Sequence, residues 1–100
     1  MARQVRWTET AAEDIRITAE FIERDSIAYA SIWVRKVLES ADTLREMADR
    51  GRKVPEWPDA GVREIFVMGH RIIYLVSRDA VHILAVVHGS RDLTRLKDRS

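Results

Sequence analysis

No cysteine occurs in this chain of 100 residues. That removes disulfides and thiolate chemistry and fits a cytoplasmic location. Proline and glycine are scarce, at two and four residues. Both prolines and two of the glycines fall within "GRKVPEWPDAG", residues 51–61, which therefore reads as a loop. Long hydrophobic runs are missing too. "VHILAVV" covers only seven positions and includes His82, so it is far too short to span a bilayer, and no membrane contact is expected. "MARQVRWTE" at the start lacks the apolar stretch of a secretory signal. There is no phosphate-cradling glycine loop, dinucleotide fingerprint, nucleophile elbow or paired-carboxylate motif. The three histidines are scattered with no i,i+4 pair, so neither a metal site nor a cofactor is expected.

What is present suits one small globular domain covering residues 1–100. Hydrophobic residues make up 46% and charged residues 33% of the chain, well away from disordered compositions. The net charge of +1 conceals an asymmetry. Residues 1–50 carry eight basic against ten acidic side chains, and residues 51–100 carry nine against six. A mild basic bias in the second half permits contact with phosphates or with an acidic peptide and requires neither.

Residues 2–7 ("ARQVRW") alternate weakly and predict a first strand. Thr8 offers an N-cap, followed by acidic residues where the helix dipole favours them. Ala12, Ile15, Ala19 and Ile22 make one helical stripe, while Ile17 and Phe21 leave the same helix apolar on a second side. Asp25-Ser26 can cap a second helix. Its stripe runs Ala30, Val34, Val37, Ala41, Leu44, Ala48, widened by Trp33 and Leu38, with Gly51 as the expected C-cap. Residues 9–50 thus predict a helical hairpin. Beyond the loop the period becomes two, predicting strands at 63–67, 71–76 and 81–87, with turns at Gly69-His70 and Arg78-Asp79-Ala80. The expected fold class is α+β, in the order β-α-α-β-β-β, with a mostly antiparallel sheet and the hairpin packed on one face.

Strands 71–76 and 83–87 are apolar at nearly every position, which asks for cover on both sheet faces. One hairpin covers one face. The tail after Gly89, with Leu93 and Leu96 as its large apolar groups, or another chain would have to cover the second.

Candidate chemistry is thin. His88 ends the last strand and could act as an acid or base near neutral pH, or be a solvated strand end. His70 in a turn and His82 at a strand opening are weaker candidates. Arg63, Arg71 and Arg91 could grip a phosphodiester, since arginine binds phosphate bidentately, or could pair with Glu64, Asp79 or Asp92. Hairpin pairing of the last two strands would let Arg71 approach His88 at one sheet end, with Arg63 towards the other.

"GRKVPE", "VREIFV", "HRIIYLV" and "VHILAVVHGSRDL", in that order, make the chain similar to the RelE/ParE toxin superfamily of bacterial type II toxin–antitoxin systems. Position 70 is His where that family often has Tyr. The resemblance implies a cognate antitoxin partner that wraps the exposed apolar and basic surfaces, with Tyr74, Arg91, Leu93 and Arg52 as candidate contacts. It favours the ParE-like branch, growth inhibitors that poison DNA gyrase without a recognised nuclease site. The alternative is a RelE-like endoribonuclease cutting mRNA in the ribosome, for which His88, Arg63 and Arg71 would be the catalytic set, with Arg52 or Lys53 assisting. The long hairpin, the absence of a dense lysine cluster and the lack of a Tyr after His88 favour the first. A non-toxic interaction module that dimerises through its sheet is the third reading.

Overall fold

A computed structural model describes residues 2–91. Leu93, Leu96 and the rest of the expected tail cover lie outside the described residues. The elements are β1 (Gln4–Trp7), α1 (Glu9–Glu23), α2 (Ile27–Asp42), a 3-10 turn (Thr43–Arg45), β2 (Arg52–Lys53), β3 (Val62–Val67), β4 (His70–Val76) and β5 (Ala80–His88). They form one five-stranded sheet of order β1-β5-β4-β3-β2. Only β1 and β5 run parallel; the other neighbours are antiparallel. The two-residue β2, in the proline-containing segment, was not foreseen.

Both predicted caps form. Thr8 accepts from the Ala11 N–H at 3.2 Å, and its hydroxyl donates to the Ile83 carbonyl at 2.8 Å. One side chain therefore starts α1 and ties it to β5. Ser26 accepts from the Tyr29 N–H at 3.0 Å and starts α2. The inner face of α1 is Ala11, Ile15 and Ile22, whereas Ala12 is exposed. The expected inner stripe holds through α2 and into the 3-10 turn: Trp33, Val37, Ala41 and Leu44 are each 1% exposed or less, in one cluster with Ile65, Ile72, Tyr74, Val81 and Ile83. Leu38, expected to widen that stripe, is instead exposed.

The helix ends eight residues earlier than its periodicity suggests. Tyr74 anchors the segment that follows. Its hydroxyl donates to the Ala48 carbonyl at 2.8 Å and accepts from the Gly51 N–H at 2.9 Å. These backbone groups are thereby satisfied by a side chain of the sheet rather than by helical partners. Gly51 is no C-cap; a Cβ there would run into Tyr74 Oη and the Glu64 carbonyl oxygen.

The second sheet face carries its own apolar cluster: Val54, Val62, Ile73 and Val87, with Trp57, Leu84 and Ala85 against it. Among the described residues, the 51–61 segment contributes cover to this face through Val54 and Trp57. A register shift at Ile73/Tyr74 pairs Ile73 with Ala85 and Tyr74 with Ile83, leaving Leu84 as the extra residue. Two adjacent residues thus join the second face, which is part of why the run has no polar alternation.

Candidate functional site

The β3–β4 turn is Met68-Gly69, not Gly69-His70. Both have positive φ, 47° and 79°, as a tight hairpin turn requires. Methionine is a poor residue for this conformation. It places the Met68 side chain against a groove bounded by α1, the first half of α2 and the adjacent ends of β4 and β5. The groove holds about 580 Å³, and Ile17, Phe21, Tyr29, Trp33, His70 and His88 give it its character. Phe21 is 64% exposed and Ile17 52%. These are the two residues that lie off the α1 stripe.

His70 is the first residue of β4, directly opposite His88 on β5. Their rings meet edge to face with centroids 5.5 Å apart. Trp33 approaches His70 from α2, edge-on at 5.0 Å, and its indole N–H donates to His70 Nδ1 at 3.3 Å. The Met68 carbonyl oxygen is also 3.3 Å from that nitrogen. Burial pushes the His70 pKa below the usual imidazole value, the Met68 carbonyl opposes the shift, and nearby His88 adds to it. His88 is exposed, and its Nδ1 accepts from the Ser90 N–H at 3.2 Å, with the Ser90 hydroxyl 2.8 Å away. Across the groove, Asp14 Oδ2 accepts from the Val86 N–H at 2.9 Å. Burial raises the Asp14 pKa, and the Val86 bond and Arg91 oppose the rise. Arg91 is exposed at the groove's rim.

Arg71 points to the opposite face. It is 4% exposed, with Nε donating to Glu64 at 2.6 Å, Nη1 and Nη2 to Glu56 at 2.9 and 2.8 Å, and Nη1 also to the Arg91 carbonyl at 3.0 Å. The Glu56 bonds, with those to Glu64, raise its pKa further. Glu64 is buried and also accepts from Arg52 at 2.6 Å, while the Arg52 guanidinium lies over the Phe66 ring at 5.0 Å. Arg63 pairs in register with Tyr74, and its Nη1 donates to the Gly51 carbonyl at 2.7 Å.

His88, Arg71 and Arg63 are therefore not brought together. Arg71 neighbours the His88 end of the sheet but lies on its other face. Arg63 sits four residues along β4 from the position opposite His88, roughly 13 Å at the rise of a strand. Of the expected partner contacts, Arg91 is exposed and Arg52 is partly committed to Glu64. Tyr74 lies fully buried because its hydroxyl serves two backbone groups. Sequence reasoning missed Trp33, Tyr29, Met68 and His70 as one site. Ile17 and Phe21 were the available signal, as apolar residues without a place in the α1 stripe.

A helical hairpin on one face of this sheet defines the RelE/ParE-like class of fold. Residues 5–93 match the family model described as ParE toxin of type II toxin-antitoxin system, parDE. The chain belongs to that ParE toxin family. Among solved structures it is similar to a chain from the chromosomal ParDE toxin–antitoxin system of P. aeruginosa. That match has 20% identity and a TM-score of 0.75, covering 87% of this chain and 96% of the other. It is similar also to a chain of the toxin–antitoxin complex RelBE2 of Mycobacterium tuberculosis, at 24% identity and TM-score 0.65, covering 88% and 99%. No curated protein matches its sequence.

Proposed function

We propose that this ParE-family chain inhibits growth by poisoning DNA gyrase and is neutralised by a cognate antitoxin seated in the groove between the helical hairpin and the β4–β5 end. The observation that carries the gyrase reading is the divergence of His88, Arg71 and Arg63. Cleavage of RNA by its own 2′-hydroxyl needs a base, an acid and a cation within reach of one phosphate. Here Arg71 is enclosed by two carboxylates on the far side of the sheet. Support for the antitoxin comes from the groove, whose Phe21, Ile17 and Tyr29 are apolar and exposed among the described residues, and from the two similar structures, both toxin–antitoxin systems.

The purified chain, added to a DNA gyrase supercoiling assay, is expected to inhibit it, while mRNA on translating ribosomes stays intact. Cleaved mRNA with gyrase unaffected overturns the proposal. His88→Ala sharpens the comparison. A folded variant should keep growth inhibition within about threefold of the parent, whereas loss of an acid–base residue would reduce cleavage roughly 10²–10⁴-fold.

A further inference from the structure

His70 Nδ1 lies 3.3 Å from an obligate donor, the Trp33 indole N–H, and 3.3 Å from an obligate acceptor, the Met68 carbonyl. A single ring nitrogen cannot serve both. Bearing a lone pair, it accepts from Trp33 and faces Met68 without a proton to share. Bearing a proton, it donates to Met68 and opposes the indole N–H, donor against donor. We propose that His70 is a proton-operated switch at the groove floor, in which the neutral ring holds Trp33 and the protonated ring transfers its Nδ1 bond to the Met68 carbonyl and releases the indole.

The proton comes from solvent, since His70 is only half-buried. The consequence falls on Trp33 because that side chain is 1% exposed. Its N–H, deprived of an acceptor inside the core, must either remain unsatisfied, which is unfavourable for a buried donor, or move towards the groove and water. Trp33 joins α2 to the sheet and also lines the groove, so its release widens the cleft where α2 meets β4.

The surroundings bear on the same proton. His88, edge-on from β5, opposes a second positive charge. Asp14 of α1 and Arg91 beyond β5 share the groove with opposite charges, and the Asp14 carboxylate is engaged by Val86. Arg71, next to His70 in sequence, is directed to the other sheet face and neutralised there by Glu56 and Glu64. The burial of His70 sets the transition below the ordinary imidazole midpoint. None of this requires the groove to be a partner site.

The test is ¹H–¹⁵N spectroscopy of the full-length chain from about pH 8 to pH 5, following the Trp33 indole resonance, assigned with Trp33→Phe, beside the His70 ring protons. The indole signal is expected to shift towards the free-indole position with the same midpoint as the His70 ring. His70→Gln retains an acceptor that does not titrate, and should leave the indole signal independent of pH. His88→Gln should keep the transition. An indole signal that stays fixed while His70 titrates, or that still titrates in His70→Gln, overturns the switch. So does a transition lost in His88→Gln. Should His70→Gln not fold, the two midpoints in the parent chain still decide.

Discussion

Arg71 directs its donors at two carboxylates and a carbonyl, and one of those carboxylates, Glu64, has its other oxygen bound to Arg52. Removing one member of a buried set leaves its partners charged in a medium that solvates them poorly. Arg71→Ala is therefore expected to cost about 3–5 kcal/mol in urea unfolding. An unchanged midpoint would mean that the cage contributes no stability. Met68 is the opposite case, a residue ill-suited to its backbone. With φ at 47° it occupies a position where asparagine is favoured in tight hairpins. Met68→Asn should raise stability by about 1 kcal/mol while removing an apolar side chain from the groove. A gain in melting temperature together with weaker antitoxin binding is the expected pair of results.

The helical hairpin is governed at the scale of the element by which way each side chain faces. Val37 and Leu44 are fully buried against the sheet, while Arg35 and Glu39 face water with more than half of each side chain exposed. Either core residue changed to Ala should cost about 2–4 kcal/mol, and Arg35→Ala or Glu39→Ala under about 0.5 kcal/mol. Equal losses in the two sets, measured by chemical denaturation, would place the wrong face of α2 inwards. The outer residues form ion pairs with N–O distances of 3.9 and 4.0 Å, and such exposed pairs contribute little.

At the scale of the molecule, stability is tied to pH through two groups with opposite effects. His70 has its pKa lowered on folding, so the unfolded chain takes up protons more readily than the folded one. Its contribution is complete above about pH 6.5, the unfolded value, and is lost as the pH falls towards the folded value. Asp14 has its pKa raised, so burying its charge is unfavourable near neutrality and that penalty is relieved as the pH falls towards the usual carboxylate range. Melting temperature should therefore decline between about pH 6.5 and 5, and His70→Gln should flatten that decline. Asp14→Asn should not flatten it, since Asp14 acts at lower pH. The open groove adds an expectation for the whole chain. Isolated toxin should associate or precipitate at concentrations where the antitoxin complex stays monodisperse, and a well-behaved concentrated monomer in size-exclusion chromatography would count against an apolar partner surface.

Local sequence chemistry determined α1, the start of α2, the three long strands and the inward set from Trp33 to Leu44 through apolar spacing, and the caps at Thr8 and Ser26 through their side chains. The order of four short motifs was enough to suggest the family. Pairing across the chain decided the rest. Tyr74 holds the Ala48 and Gly51 backbone from a strand that lies 26 residues beyond Ala48, and no local signal announces that anchor. Val54 and Trp57 cover the second sheet face from a segment that reads only as loop. Arg71 and His88 meet the same end of the sheet on opposite sides. Their separation depends on the alternation of a strand, and His70, one position earlier, faces the groove instead. A one-residue difference in register would exchange the two, and register is fixed where one face must be buried.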